Sequence, residues 1–306
     1  MAVLSASTDA VNLHVVGPRG GSQTRVHGSP PGFALRRFVC HPASASGLCM
    51  LLACAVLVLA APFFAPYGAA EQFPGAELSA PSSRFLLGTD NLGRDVLSRI
   101  IFGTQVSLLV GIVAVSVGAS LGVGTGLIAG YAGGWFDAVV MRIWDGVFAV
   151  PAILLGISLA GAFGPSSINV AITLGIAATP TFARLARAGV VSERQTEYVL
   201  AAQAVGATHT RVLGLHILPN VMGPLLVQVA LTMSSAVVLE AGLSFLGLGV
   251  QAPQPSWGGM LSESRQFLRQ APWYGVFPGI SLTLLVLALN FVSDALRDAL
   301  DPRTNR

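Results

Sequence analysis

Side chains able to do chemistry are sparse in these 306 residues, and the most telling one is missing: the chain has seventeen arginines and no lysine. A P-loop needs a lysine to reach the β- and γ-phosphates of a nucleotide, so any ATP that drives this protein must bind another chain. Gly242-Leu243-Ser244-Phe245-Leu246-Gly247 sets a serine among glycines without the spacing of a nucleophile elbow. No HExxH is present, and His209 and His216 stand seven apart without carboxylate company. Cys40, Cys49 and Cys54 have neither metal-ligand spacing nor the pattern of a disulfide framework, so neither a metal site nor catalytic residues are predicted. Two acids are left inside apolar runs, Glu240 and Asp294. Intramembrane ionisable groups are expensive and commonly functional, and an ion-coupled carrier is expected to show more of them.

The elements that must position these groups follow from composition. Hydrophobic residues make up 53% of the chain, charged residues 10%, and the mean hydropathy is +0.70. A water-soluble domain of this size has no core large enough for that content, so the chain reads as an all-α, polytopic membrane protein. About 20 mainly apolar residues are needed to cross a bilayer. Six stretches qualify: residues 48–66, 106–131, 146–163, 168–182, 221–248 and 275–292. The fourth holds Pro180, which predicts a kink. Leu51-Leu52-Ala53-Cys54 looks like a lipoprotein cleavage box, but the apolar run continues past Cys54 and a long polar stretch precedes it, which favours a first membrane helix.

Arginine position sets the expected orientation, since Arg and Lys accumulate in cytoplasmic loops. With both termini inside, Arg19, Arg25, Arg36, Arg37, Arg142, Arg184, Arg187, Arg194, Arg211, Arg297, Arg303 and Arg306 are cytoplasmic, and Arg84, Arg94, Arg99, Arg265 and Arg269 are outside. The resulting organisation is a mobile cytoplasmic tail over 1–43, a first transmembrane helix over 44–66, and an external cap segment over 67–105. A five-helix core follows over 106–301, with a cytoplasmic loop at 183–220 and an external segment at 249–273, and 302–306 form a cytoplasmic C-terminus. The basic balance is read through loop position and not as a nucleic-acid signal.

Three further constellations stand out. Gly118, Gly122, Gly126 and Gly130 recur every four residues, one stripe on one helix face, where another backbone from this chain or a neighbour can approach. Glu240, with Ser244 one turn beyond it, either lines a permeation path or closes an interhelical hydrogen bond. Asp90, Arg94, Asp95 and Arg99 are spaced for i,i+4 ion pairs on a short helix of the outer cap; they either hold the cap or meet an external partner.

The polar loop is the most informative segment. In YVLAAQAVGATHTRVLGLHILPN (198–220), Tyr198, Ala201, Ala202 and Val205 fall at i, i+3, i+4 and i+7, one shallow helical face. Gly206 ends that helix, Thr208 is placed to cap a second short one reaching about Leu218, and Pro219-Asn220 turns the chain into the next span. Such a helix-turn-helix suits insertion into a groove on a partner; the alternative is an amphipathic connector resting on lipid.

Ala201-Ala202, Gly206 and Leu218-Pro219 resemble the cytoplasmic EAA loop of bacterial ABC-importer permeases, with Leu200 in place of the usual glutamate and His216 where an isoleucine is common. HILPN (216–220), LGTDNLGRDVLSRIIFG (87–103), GLSFLGLGVQAPQPSWGGML (242–261), APWYGVFPG (271–279) and DALRDALDPR (294–303) are similar to the second, C-type permease of dipeptide/oligopeptide/nickel importers. The resemblance covers the chain from about residue 85 onward. It implies a type I ABC-importer permease fold in the bacterial plasma membrane, a heterodimer with a homologous permease, and two cytoplasmic ATPases that bind ATP and Mg. An external solute-binding protein would deliver di- or oligopeptides, or alternatively nickel chelates, glutathione or other small solutes. It assigns ATPase coupling to Tyr198, Ala201, Ala202, Val205, Gly206, Ala207, Arg211, Leu218 and Pro219. A non-transporting membrane scaffold or receptor is the reading from a different class.

Overall fold

The computed structural model describes residues 61–300 and, before them, positions 49, 50, 52 and 56. The expected tail over 1–43, Cys40, Cys54, most of the first span and the terminus over 302–306 lie outside the described residues. After a helical turn at Ala61–Phe64, the chain forms α1 (Val96–Ala132), α2 (Gly134–Phe148), α3 (Ala152–Phe163), α4 (Ser167–Glu193), α5 (Glu197–Ala204), α6 (His209–Phe245), α7 (Trp257–Ser264) and α8 (Pro272–Leu300). Among the described residues there is no strand, only an isolated bridge between Thr89 and Asp95.

α1, α4, α6 and α8 are each long and apolar enough to cross a membrane, and α2 with α3 makes a fifth span if counted together. That pair corrects the expected continuous span over 146–163, because the two helices meet at an angle of 83°. Pro151 lacks an N–H and disfavours helical backbone at the preceding Val150, so α2 stops at Phe148 and α3 restarts beyond the proline. At the start of α1 the Asp95 carboxylate accepts the Ser98 N–H at 2.8 Å and its hydroxyl at 2.7 Å. With that cap the helix begins at Val96, so 96–105, read as cap from sequence, are its first turns. α4 likewise continues through Pro180 to Glu193 and takes in the first residues of the expected loop.

The fifth span differs most from expectation. The chain does not turn at Pro219-Asn220: α6 is continuous from His209 to Phe245, with a π-helical stretch over Val212–Ile217. A proline ring inside an α-helix clashes with the carbonyl four residues back, and the wider π turn, in which the Leu218 N–H reaches Leu213 O, accommodates Pro219 without ending the helix. Thr208 precedes α6 but makes no capping bond from its side chain; its hydroxyl instead meets Thr210 Oγ1 at 3.3 Å.

α1 and α4 form the most extensive pair, α6 crosses both, and α8 packs on α6 with α7 wedged between them. Three buried clusters follow the helix axes. Val96, Ile100, Trp257, Met260, Tyr274 and Leu285 gather at the cap end. Val110, Ala114, Val170, Leu174 and Leu243 fill the middle. Phe182, Val190, Val199, Val212, Ile217 and Val221 gather at the opposite end, beside α5.

Candidate functional site

The loop between α4 and α6 is a small, fixed platform. Val199, the one fully buried residue of α5, packs with Val190 of α4 and with Val212 and Ile217 of α6. Tyr198 adds polar ties: its hydroxyl donates to Glu193 Oε2 at 2.5 Å and accepts from Asn220 Nδ2 at 2.8 Å. Partial burial, and then the Glu193 carboxylate, raise the Tyr198 phenol above its ordinary value, so it remains a donor at neutral pH. At the other edge, Tyr131 at the end of α1 meets His209 Nδ1 at 2.8 Å, and Arg194 donates to the carbonyls of Gly130 and Tyr131.

With one edge anchored, the opposite face of α5 is left open. Val205 is 86% exposed, Ala201 is exposed and Ala202 half-buried. α5 ends in a full Schellman motif, in which the Gly206 N–H bonds Gln203 O and the Ala207 N–H bonds Ala202 O, both at 3.0 Å. Gly206 supplies the left-handed backbone this needs, with φ +82°, and nothing lies within 4 Å of where its Cβ would be. The sharp reversal creates a groove of about 480 Å3 lined by Ala201, Ala202, Val205, Gly206, Ala207, Arg211 and His216. The structure thus brings six of the residues singled out from sequence into one concave surface, whereas Leu218 and Pro219 sit further along α6, outside the lining, and Tyr198 serves as an anchor.

The glycine stripe packs within this chain, against α4. A Cβ on Gly126 would stand 2.3 Å from Ala183 O, and one on Gly122 would stand 2.6 Å from Thr179 O. Gly118 and Gly130 face Gly175 O and Arg187 O, each at 3.0 Å from the would-be Cβ. The backbones of α1 and α4 are therefore as close as helices can pack, which small residues permit in lipid. α2 is tied to the same α4 by ion pairs: Arg187 grips Asp137 at 2.5 and 2.6 Å, and Arg184 reaches Asp145 at 3.0 Å.

Glu240 is fully buried within this chain. Its described hydrogen bond is not the interhelical one considered from sequence: Ser244 Oγ of the same helix donates to Oε1 at 2.6 Å, and Oε2 has no partner among the described residues. Ser244 is 4% exposed and also receives the Val250 N–H at 3.4 Å, so the pair fastens the chain leaving α6 back onto its last turn.

Asp90, Arg94, Asp95 and Arg99 do come together: Asp90 and Arg94 form the expected i,i+4 ion pair, but not on a short helix, and Asp95 with Arg99 does not. Asp90 lies in the loop before α1, where its Oδ2 takes Arg94 Nε and Arg99 Nη1, both at 2.6 Å, and its Oδ1 takes the backbone N–H groups of Leu92 and Arg94. Asp95 is occupied as the α1 cap and does not pair with Arg99. Glu263 of α7 completes the cluster: its Oε2 accepts from Arg94 at 3.1 Å, from Arg99 at 3.5 Å and from the Tyr274 hydroxyl. Nothing in the local sequence pointed to Glu263 or Tyr274, which lie more than 160 residues away from the motif.

Comparison with known proteins places these features in context. Residues 122–306 match the family model described as binding-protein-dependent transport system inner membrane component, and residues 32–81 match the N-terminal TM domain of oligopeptide transport permease C. The chain is 44% identical to the dipeptide transport system permease protein DppC of Alkalihalophilus pseudofirmus, over 84% of each chain. It is 41% identical to the di/tripeptide transport system permease protein DppC of Pseudomonas aeruginosa, covering 91% of this chain and 94% of that one. The glutathione transport system permease protein GsiD of Pectobacterium atrosepticum is 42% identical over 88% of this chain and 89% of its own. Among solved structures, an inward-facing MetNI methionine ABC transporter chain superposes with a TM-score of 0.56 at 17% identity, covering 66% of this chain and 96% of that one, a likeness of fold.

Proposed function

The chain belongs to the binding-protein-dependent transport system inner membrane component family, as a permease of the dipeptide/oligopeptide branch of bacterial ABC importers, and from that premise we propose that it forms half of a translocation pathway for di- or oligopeptides. It is a membrane-embedded transport subunit, and the ATPase activity of such importers resides in separate subunits. We further propose a homologous permease as its heterodimer partner, two cytoplasmic ATPases carrying ATP and Mg, an external solute-binding protein, and both termini in the cytoplasm. The arginine asymmetry supports that orientation, with the α5 platform inside and the Asp90 cluster outside.

The observation that carries the coupling role is the platform itself, which presents an open, small-residue face on a helix whose other side is locked to α4 and α6. Motion imposed on this face passes directly into α6, which runs unbroken from His209 beside the groove to Phe245 at the cap end, about 55 Å at 1.5 Å per residue. The π-helical stretch near its start is a place where such a helix can bend. At the far end, Glu240 and Ser244 link α6 to the loop leading to α7, so a displaced platform would shift both ends of the span together. In this reading Glu240 and Ser244 approach the pathway when the helices part.

The test is reconstitution of the permease pair with its ATPases and binding protein in vesicles. Uptake of a labelled dipeptide together with ATP hydrolysis stimulated by loaded binding protein supports the proposal. ATPases that neither co-purify with the chain nor respond to the binding protein would instead favour a scaffold or receptor. Glutathione is the second substrate reading, favoured by the GsiD relative at 42% identity; competition between glutathione and the dipeptide for the binding protein separates the two.

A further inference from the structure

The groove beside Gly206 holds a charge that the fold does not use. Arg211 lies in the first turn of α6, where the helix dipole disfavours a cation. It is exposed, and no ion pair joins it to an acid among the described residues. Of the other arginines at this end, Arg184 and Arg187 hold α2 and Arg194 bonds two carbonyls, while Arg142 on α2 and Arg297 on α8 lie outside the groove lining. Glu197, the nearby acid on α5, sits in that helix's first turn, where a negative charge is favoured, and outside the groove lining. Apart from Arg211 and His216 the lining is apolar, formed by Ala201, Ala202, Val205, Gly206 and Ala207, and the volume of about 480 Å3 admits side chains of a partner.

We propose that this groove receives a surface segment of the ATPase subunit in which an apolar side chain stands next to an aspartate or glutamate. The apolar side chain seats against Ala201, Ala202 and Val205, and the carboxylate pairs with Arg211. The cation thus belongs to the permease and the acid to the ATPase, in keeping with a loop whose outward face carries Leu200 and no acid over residues 198–216. This inference rests on the coupling role proposed above and specifies the chemistry of its partner.

The chain's lack of lysine makes a direct test available. Arg211→Lys keeps the charge and installs the one lysine amine in the polypeptide, so a zero-length carbodiimide will join it to a carboxylate in contact. In the full importer in lipid nanodiscs, the expected product is a cross-link from position 211 to an Asp or Glu of the ATPase, mapped by mass spectrometry. Arg211→Glu should weaken rebinding of stripped ATPase by about tenfold or more, and raised salt should weaken the wild type while sparing Arg211→Gln. A photoreactive residue at position 202 is the control. If it captures the ATPase while Arg211→Lys gives no adduct with it and Arg211→Glu rebinds within about twofold of wild type, the charge pairing is overturned and the coupling role stands. If position 202 captures no ATPase in the assembled importer, the coupling role falls as well. An adduct from position 211 to this chain, the second permease or lipid also overturns the inference.

Discussion

Asp90→Asn is the sharpest probe of the outer end. The carboxylate accepts four hydrogen bonds of 2.6 to 2.9 Å, two from guanidinium groups whose side chains are 4% and 2% exposed. An amide keeps the shape but removes the charge facing Arg94 and Arg99 and leaves them only Glu263, at 3.1 and 3.5 Å and one-third exposed. Removing one partner of a buried pair costs about 3–5 kcal/mol, because the remaining charge is left uncompensated. Glu263→Gln removes longer, partly solvated contacts and should cost roughly 1 kcal/mol. Hydrogen exchange read by mass spectrometry reports the difference locally, on the amides of Leu78, Thr89 and Asp90, which bond to Asp90 O, Ser79 O and Arg94 O. Where exchange follows local opening, a loss of about 3 kcal/mol accelerates it by about two decades, and the Glu263 variant by about one decade or less. Protection within about threefold of wild type in Asp90→Asn would show that the cluster does not hold the cap, and equal losses in both variants would contradict the ranking by burial.

The remaining expectations concern the helices and the platform. Gly126→Ala should separate α1 from α4 and cost about 1–3 kcal/mol, seen as a lower melting point of the purified complex, whereas Gly124→Ala, with nothing within 4 Å of its Cβ, should be neutral. Ser244→Ala takes away the donor to Glu240 and should destabilise by about 1–3 kcal/mol, with most of the loss recovered by adding Glu240→Leu, read from the same melting experiment. Gly206→Ala should cost about 1–2 kcal/mol from its left-handed backbone and leave uptake measurable, while Gly206→Trp, which fills the groove, should abolish uptake at normal membrane levels. Normal uptake by Gly206→Trp would refute the role given to the groove.

Much of the loop was legible because its information is local. Ala201, Ala202, Val205, Gly206, Ala207 and Arg211 lie within eleven residues, and a helix period followed by a glycine is enough to put them on one turn. Sequence periodicity did not say which side of α5 is anchored: Val199 decides that, by packing with Val190, Val212 and Ile217, which belong to other helices. It also placed a turn at Pro219-Asn220, since a proline normally ends a helix, and had no means to anticipate the π-helical stretch that absorbs it.

By itself the sequence determined that the chain lives in a membrane, that it cannot bind nucleotide through a P-loop, and where its close-packing glycines and its polar loop lie. These are consequences of composition and of spacings shorter than a few helical turns. Only the tertiary structure decided what those residues meet. The glycine stripe lies on α4, Glu240 turns to its own helix, and Asp90 with its two arginines closes on Glu263 and Tyr274. Such contacts join positions far apart in the chain, and their partners are selected by how four long helices pack, a constraint that no local pattern records.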